Sequence, residues 1–477
     1  MYLWAKDLFP FNRSITGDGV RQTLRYIKKK IPNLKIQSLK SGTKCFDWKV
    51  PMEWRIKEAY VKYHKSKMLI NIKNNNLHLM GYSEPVNKVL DFKKLKTKLH
   101  TLPDQPNAIP YRTSYYKRDW GFCLTHNQLN KIDKKKKFHV LINSKFFKGY
   151  LNYGEIFLKG RSKKEILFST NICHPSLANN EISGPVLAMK IAKYLKIKNR
   201  NYSYRIIFIP ETIGAIAFLK NKINYLKENL LAGFVLSCVG DDNKYSKISS
   251  RLGNTFADRI LEKTLDNKKI KFKNYSFLAR GSDERQFCSP GVDLPVCSFL
   301  RTKHGEYRQY HTSNDNLDYI SSKGLNNSFK IMKSLIDNIE NGNTDIIVGT
   351  QIISKGYDFP LITKVIIVDF DSYNYSQEIC FRRELPSNKA TIKHNLFTTR
   401  GYKLLTYLLA GPVFYLIDLI QDPSPNFNEW LYSINLNRFF TTSLIATSML
   451  ILLEYFAYEL YYKEKILKII NSLNSDN

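Results

Sequence analysis

The chain has 477 residues, which is enough for two or three domains. Its 74 lysines and arginines against 41 aspartates and glutamates give a formal net charge of +33, a balance that usually indicates a nucleic-acid or anionic-surface partner. The alternative explanation of this charge is an AT-biased genome, since lysine is abundant here together with asparagine, isoleucine and tyrosine. The sequence has no arginine-rich stripe with interleaved aromatic residues, so a nucleic-acid groove is not expected.

The cysteines and the N-terminal residues indicate a cellular compartment. Seven cysteines without CxxC spacing predict free thiols in a reducing environment. The first residues, MYLWAKDLFPFN, contain no apolar segment of the kind that a secretory signal requires. We therefore expect a cytoplasmic protein.

The first 150 residues predict a helical segment followed by a β-rich one. Apolar residues from Val20 to Ile31 recur at near-helical spacing within residues 1–42. Residues 43–150 show short β-type runs between polar turns, without alternating strands and helices. The aromatic and basic stretch RTSYYKRDWGFCLTH either lines a substrate cleft or packs the core of this segment, and the sequence leaves both open for its aromatic residues Tyr115, Tyr116 and Trp120.

Residues 151–341 predict alternating strands and helices. The apolar run at 166–168 is typical of a buried strand. Pro175 excludes helical geometry at the residue before it, so we expect His174 in extended or turn geometry just beyond this strand. An amphipathic helix follows after Gly184. Because ligands of open α/β sheets bind beyond the carboxyl ends of the strands, His174 is a candidate site residue.

Three later segments repeat this pattern. The run RIIFIP leads to Glu211, and GFVLSCVG leads to Asp241 and Asp242. The run LPVCSFL is followed by YHTSND, which contains His311 and Asp315. The sequence therefore predicts an α/β domain with its polar site at the carboxyl ends of several strands.

Five motifs in this order, CHPSLANNEISG, IPETIG, VGDD, GSDERQFCSPG and YHTSND, resemble those of a bacterial aminopeptidase-like family. That family is related to the co-catalytic di-zinc aminopeptidases and is often found beside surface-polysaccharide genes. The likeness begins at LFPFNRSITGDGVRQTL and continues through FDWKVPMEW and IPYRTSYY to about Asn341. It implies a three-layer α/β/α domain formed by residues 1–42 and 151–341, with a β-rich domain, 43–150, inserted into it.

The resemblance also implies roles for individual residues. His174 matches the first histidine ligand of the metal centre, and His311 matches the last. Glu211 matches the glutamate that takes a proton from metal-bound water, while the metal polarises the carbonyl and lowers the pKa of that water. Burial at a strand end would raise the pKa of Glu211 toward useful basicity.

Three positions depart from the di-zinc pattern. Asn180 stands where those enzymes have the metal-bridging aspartate, Thr212 replaces a ligand glutamate, and Ser237 lies near the place of a ligand aspartate. Without these three carboxylates, too little negative charge remains to hold two dications close together. We expect one zinc ion at most, bound by His174 and His311 with Asn180 and a carboxylate, or else a cleft that binds without metal.

Five further acidic residues are predicted to bind substrate or to support the metal ligands: Asp241, Asp242, Asp283, Glu284 and Asp315. Asp315 follows His311 by four residues and could orient its ring. Asp283 is either a cleft residue or an N-terminal cap or first-turn acid of a helix, and the sequence leaves both open.

The C-terminal third departs from the family pattern. Residues 343–371, within a predicted segment 342–376, resemble a piece of the primosomal replication helicase. No GxxxxGK[ST] phosphate loop is present, so no ATP site is expected. Residues 377–477 predict a mostly helical extension with apolar runs at 404–420 and 439–453. Both runs are shorter than the ~20 residues of a membrane span. A membrane hairpin within 404–458, an ordinary buried helix pair and a poorly folded remnant therefore stay open.

These observations support three functional hypotheses. The first is metal-dependent hydrolysis of a peptide-like or N-acyl amide bond in a small peptide or amino-sugar substrate, linked to surface-polysaccharide metabolism. The second is a non-catalytic binding or accessory protein that has lost its metals. The third is a nucleic-acid-linked role through the helicase-like segment, against which the missing phosphate loop weighs. Metal content separates the first two hypotheses.

Overall fold

The structure is a computed structural model that describes residues 1–64 and 67–341. The helicase-like segment and the helical extension lie outside the described residues. The α-helices are α1 (Tyr2–Leu8), α2 (Asp18–Lys30), α3 (Phe92–Lys96), α4 (His126–Asn130), α5 (Ser183–Lys196), α6 (Ile213–Asn229), α7 (Phe256–Asn267), α8 (Glu284–Phe287) and α9 (Ser322–Glu340).

The strands belong to a large sheet, a smaller sheet and two short pairs. Their bounds are β1 (Lys35–Lys40), β2 (Lys44–Cys45), β3 (Trp48–Lys49), β4 (Glu53–Tyr63), β5 (Met68–Asn71), β6 (Val86–Leu90), β7 (Leu99–His100), β8 (Phe122–Cys123), β9 (Phe138–Phe147), β10 (Tyr150–Leu158), β11 (Glu165–Asn171), β12 (Ser203–Ile209), β13 (Leu230–Leu236), β14 (Tyr245–Ile248), β15 (Phe272–Tyr275) and β16 (Val296–Leu300).

The large sheet has eight strands in the order β1-β10-β12-β11-β13-β16-β14-β15. Its four central strands, β12, β11, β13 and β16, are mutually parallel. The strands β10 and β14 flank them in antiparallel orientation. Because parallel strands end at the same edge, the segments that leave these four strands all begin on one side of the sheet.

Helices cover both faces of this sheet. In β11, Ile166 and Phe168 pack with α2, α5, α7 and α9, whereas Leu167 packs with residues of α6. This alternation follows from the two-residue period of a strand. All residues of β11, β12 and β13 are buried, as expected for parallel strands covered on both faces. The predicted α/β fold with a large central sheet is confirmed.

The β-rich segment forms a four-stranded sheet in the order β5-β4-β9-β6. Its core is continuous with the α6 side of the large sheet. Tyr115 and Trp120 pack partly buried against this core, whereas Tyr116 is 92% exposed. Core packing therefore describes Tyr115 and Trp120 but not Tyr116, for which a place in a substrate cleft stays a prediction. The domain boundaries at 42 and 150 stay predictions.

Membrane contact was predicted for 404–458, a range beyond the described residues. In residues 1–64 and 67–341, no helix has the length and apolar character to cross a bilayer.

Candidate metal centre

His174 lies just beyond β11 and is held by hydrogen bonds on several sides. Its Nδ1 atom lies 2.6 Å from Glu181 Oε2, and its backbone N donates to Glu181 Oε1 at 2.8 Å. The backbone N of Cys173 donates to the same oxygen. Arg13 Nε donates to the carbonyl of His174 at 2.8 Å. These contacts leave Nε2 as the ring nitrogen that faces the cleft.

The charge of His174 depends on its neighbours. Burial alone would lower the pKa of this imidazole. A negative charge on a neighbouring side chain, Cys173 or Glu181, outweighs burial and raises the pKa well above its ordinary value. Burial raises the pKa of the Cys173 thiol to about 12. Cys173 is therefore neutral at physiological pH, and we attribute the raised pKa of His174 to Glu181.

Glu211 lies just beyond β12, the neighbour of β11. The register pairs Asn171 at the end of β11 with Ile209 at the end of β12, so the two segments that follow leave the sheet side by side. Glu211 Oε2 lies 3.7 Å from His174 Nε2, and Oε1 accepts a hydrogen bond from Asn171 Nδ2 at 3.1 Å. Burial raises the pKa of Glu211, although His174 opposes the rise.

His311 approaches His174 from the segment after β16. The two imidazole centroids are 5.4 Å apart, and the ring of Tyr111 lies 5.1 Å from each. His311 stacks on Tyr310 at 3.9 Å. Burial lowers the pKa of His311 to about 3, so the ring is neutral. Its Nε2 atom is buried and has no hydrogen-bond partner among the described residues.

Asn180 lies in the turn Ala178–Ile182 that precedes α5. Its Oδ1 atom is buried and lacks a partner within the described part of the chain. Asp315 accepts hydrogen bonds from the backbone N of Asn179 at 2.6 Å, the backbone N of Asn180 at 3.0 Å and the hydroxyl of Tyr307 at 3.1 Å. The prediction that Asp315 orients His311 is therefore wrong, because its carboxylate oxygens bind the Asn180 turn and Tyr307 instead.

Asp241 and Asp242 follow β13 but differ in environment. Asp241 is buried and accepts hydrogen bonds from Asn179 Nδ2 at 3.0 Å and from the backbone N and hydroxyl of Thr302 at 3.1 and 3.0 Å. It thereby connects the ends of β13 and β16 to the Asn180 turn. Asp242 is exposed. The structure thus gives Asp241 a supporting position and leaves Asp242 at the surface.

Asp283 and Glu284 are both buried at the start of α8. Asp283 Oδ1 accepts a hydrogen bond from the backbone N of Thr212 at 2.6 Å. Asp283 stands at the N-terminal cap position of α8, as one of the two predicted alternatives has it, but its side chain forms no capping bond with that helix. Glu284 accepts hydrogen bonds from the backbone N atoms of Gly281 and Ser282 and from Ser298 Oγ at 2.7, 3.0 and 2.9 Å. Both residues support the loop beside Glu211.

Comparison with known proteins places the chain in a family. The family model described as "Domain of unknown function (DUF4910)" matches residues 2–342. The chain belongs to the DUF4910 family. A curated protein of Clostridium acetobutylicum, provisionally named polysaccharide biosynthesis protein with aminopeptidase-like domain, is 45% identical over 344 residues, which cover 72% of this chain and 78% of that protein.

Solved structures agree with this assignment. A crystal structure from Clostridium acetobutylicum, provisionally described as a peptidase, is 45% identical with a TM-score of 0.69 and covers 71% of this chain and 80% of that one. A zinc aminopeptidase from Bacillus subtilis has 12% identity, a TM-score of 0.50 and coverages of 70% and 94%. A peptidase M28 precursor from Shewanella amazonensis has 10% identity, a TM-score of 0.51 and coverages of 73% and 94%. The last two show the fold alone. The Clostridium matches at 45% identity confirm the predicted resemblance to an aminopeptidase-like family.

The side chains of this DUF4910 site are of the chemical types that bind zinc. Zinc prefers imidazole nitrogens and carboxylate oxygens. The site offers Nε2 of His174, the unpartnered Nε2 of His311 and a carboxylate oxygen of Glu211, with the unpartnered Oδ1 of Asn180 in the same loop region. The contact between His174 Nδ1 and Glu181 is the kind that fixes the tautomer of a metal-binding histidine.

Among the described residues, Cys173, His174 and Glu181 form the group whose donor atoms all lie within 4.8 Å of one another, and His311 and Glu211 are not part of it. Glu181 already accepts hydrogen bonds from the ring and backbone of His174 and from the backbone of Cys173. The Cys173 thiol accepts a hydrogen bond from the backbone N of Glu211 at 3.2 Å. We therefore assign Glu181 and Cys173 to the support of His174.

Sequence analysis missed four residues of this DUF4910 site: Arg13, Tyr111, Asn171 and Glu181. Glu181 could have been found, since a metal-binding histidine commonly donates its second ring nitrogen to a carboxylate and Glu181 lies in the same loop. Arg13 and Tyr111 carry no local signal, because they reach the site from other parts of the fold. Asn171 could have been noticed as a polar residue at the carboxyl end of β11, three residues before His174.

Proposed function

We propose that this chain is a metal-dependent hydrolase that cleaves a peptide-like or N-acyl amide bond in a small substrate. The observation that carries the proposal is the pairing of Glu211 with His174 Nε2 at 3.7 Å, with Glu181 2.6 Å from the other ring nitrogen. This places a carboxylate with a raised pKa beside a rigidly held imidazole at a sheet edge where α/β enzymes bind their ligands.

His174 and His311 would hold the zinc ion through their Nε2 atoms. When bound, zinc would supply Lewis-acid polarisation of the substrate carbonyl and would lower the pKa of water. Glu211 accepts a proton, and its raised pKa makes it a better base than an ordinary glutamate. Asn171 Nδ2 holds Glu211 Oε1 at 3.1 Å and leaves Oε2 directed toward His174.

One zinc ion rather than two is part of the proposal. By the motif resemblance, Asn180 and Thr212 stand where di-zinc relatives have ligand carboxylates, and Ser237 lies near the place of a third. The backbone N of Asn180 donates a hydrogen bond to Asp315, and Ser237 Oγ donates one to the carbonyl of Asn180 at 3.2 Å. Neutral side chains balance the charge of two neighbouring dications poorly.

The proposed substrate class rests on the name of a relative. The name of the Clostridium relative refers to polysaccharide biosynthesis, which favours a small peptide-like or amino-sugar substrate of surface-polysaccharide metabolism. We propose a cytoplasmic location, because the cysteines of the described residues are all unpaired. Nucleic acid is not proposed as a partner.

A binding or accessory protein is the second candidate. It is favoured by the neutral Asn180 at the position of the bridging aspartate. Such a protein would keep the cleft and would neither bind zinc at stoichiometric level nor hydrolyse the substrate.

Zinc analysis and hydrolysis assays of the full chain test the proposal. We expect about one zinc per chain and hydrolysis of an aminoacyl or N-acyl amino-sugar substrate. Glu211→Gln should retain most of the fold and lower the rate about 10²–10⁴-fold, whereas the exposed control Glu228→Gln should match the wild type. A chain without zinc and without hydrolysis supports the binding protein. Wild-type rates in Glu211→Gln would contradict the base assignment.

A further inference from the structure

Thr212, the residue after Glu211, has a strained backbone. Its φ is 65° and its ψ is −67°, in a region that a β-branched residue rarely occupies. The backbone N of Ile213 donates to the carbonyl of Glu211 at 2.7 Å, so these three residues form a γ-turn. A γ-turn with positive φ is the rare and strained form. Such a turn persists only when surrounding contacts hold it.

Two side chains from the start of α8 hold this turn. Asp283 Oδ1 accepts a hydrogen bond from the backbone N of Thr212 at 2.6 Å. Arg285 donates to Thr212 Oγ1 at 2.7 Å. Asp283 is fully buried, whereas Arg285 is exposed. One residue therefore binds the backbone of Thr212 from inside the protein, and the other binds its side chain from the surface.

The residue just before Asp283 also contacts Glu211 indirectly, through Asn171. Asn171 Nδ2 donates to Glu211 Oε1 at 3.1 Å and to Ser282 Oγ at 3.0 Å. Ser282 directly precedes Asp283 in the chain. The segment 282–285, which includes the start of α8, thus contacts Thr212 directly and the carboxylate of Glu211 through Asn171.

We propose that Asp283 and Arg285 are positioning residues: they hold Thr212 in its γ-turn and thereby direct the Glu211 carboxylate toward His174 Nε2. The inference rests on the proposed function of Glu211 as a base. If the turn relaxed to negative φ, the peptide planes on both sides of Thr212 would rotate and the backbone of Glu211 would move with them. A misplacement of about 1 Å can cost about 10²-fold in rate.

Crystal structures of the full-length wild type, Asp283→Ala and Asp283→Asn test the positioning without relying on activity. Asparagine keeps an acceptor oxygen for the backbone N of Thr212, and alanine does not. We expect Asp283→Ala to lose the positive φ at residue 212 and to separate Glu211 Oε2 from His174 Nε2 beyond about 5 Å, where their interaction weakens. Asp283→Asn should keep both features. An unchanged turn and an unchanged separation in Asp283→Ala would overturn the proposal.

Kinetics test the consequence for the proposed reaction. Asp283→Ala should lower kcat about 10²-fold with little change in KM or zinc content, and Asp283→Asn should restore most of the rate. Equal losses in both variants, or loss of zinc, would contradict a positioning role, because they would indicate a role for the charge or a metal ligand. If the wild type hydrolyses no substrate, the proposed function fails, and the crystal structures still decide whether Asp283 holds the turn.

Arg285→Met keeps the proposal testable if Asp283→Ala folds poorly, and Thr212→Gly adds a test of the turn itself if Asp283→Ala folds. Arg285→Met changes an exposed residue and should lower kcat in the same direction by a smaller factor. Thr212→Gly removes the β-branched side chain that resists positive φ. In the Thr212→Gly background, Asp283→Ala should cost several-fold less in kcat than it does alone. Additive losses would show that Asp283 does not act through the turn, and unchanged kcat in Arg285→Met would remove Arg285 from the proposal.

Discussion

Glu181 binds His174 at two points: one carboxylate oxygen lies 2.6 Å from the ring Nδ1, and the other accepts the backbone N of His174 at 2.8 Å. The carboxylate therefore fixes both the ring orientation and the loop that carries it. In metal sites, such a partner also raises the basicity of the histidine and so strengthens its bond to the metal.

The first prediction concerns this contact. Glu181→Gln presents an amide that cannot satisfy the ring and both backbone N atoms as a carboxylate does, so zinc affinity should fall about 10–100-fold. Competition with a chelator would measure the affinity. The exposed control Glu228→Gln should bind zinc like the wild type, and wild-type affinity in Glu181→Gln would contradict the assignment.

The second prediction concerns pH and the buried ring of His311. Its pKa is lowered to about 3 in the folded state, whereas an unfolded histidine titrates near 6.5. Between these two pKa values the unfolded state binds more protons than the folded state. The contribution of His311 to stability is therefore fully present above the unfolded pKa and is lost as the pH falls below it. At pH 5 this group should lower the unfolding free energy by about 2 kcal/mol relative to pH 7.

Urea unfolding of the zinc-free full chain at pH 7 and pH 5 would measure this loss. His311→Phe keeps a ring against Tyr310 and Tyr111 but cannot be protonated. Between pH 7 and pH 5, its free energy of unfolding should therefore fall by about 2 kcal/mol less than that of the wild type. The remaining dependence on pH, shared with the wild type, reports the other ionisable groups. An equal decrease in both proteins would show that His311 titrates normally in the folded state.

The third prediction concerns Gly184 at the start of α5. A Cβ atom at this position would lie 2.6 Å from the carbonyl oxygen of Leu236 on β13 and would also clash with Thr170 Oγ1 on β11. Gly184→Ala would therefore push the helix away from the sheet and displace the Asn180 turn. Overpacking of this kind typically costs about 1–3 kcal/mol. Thermal unfolding would detect the loss, and an unchanged midpoint would show that the helix shifts freely.

The fourth prediction concerns the C-terminal third of the chain. The eight-stranded sheet and the helices on both its faces lie within residues 1–341. Because a domain with its own core folds as a unit, a truncated chain that ends at Asn341 should be soluble and should keep a cooperative thermal transition. Insolubility of the truncated chain beside a soluble full chain would show that later residues complete the core.

The α/β fold and the positions of the main site residues along their strands could be predicted from the amino-acid sequence. Apolar runs of strand length, the position of Pro175 and the polar residues after each run place His174 and Glu211 just beyond β11 and β12. These signals are local, since strand period, proline geometry and burial are recorded in neighbouring residues. For the same reason, the family motifs could be recognised without any knowledge of contacts.

Only the tertiary structure decided which side chains meet. Asp315 binds the Asn180 turn rather than His311, and Asp283, at the cap position of α8, uses its side chain to bind the backbone of Thr212. Thr212 and Asp283 are brought together by the packing of α6 and α8, which sequence spacing does not encode. A hydrogen bond depends on distances accurate to a few tenths of an ångström, and strand register and helix packing set those distances only when the whole core is assembled.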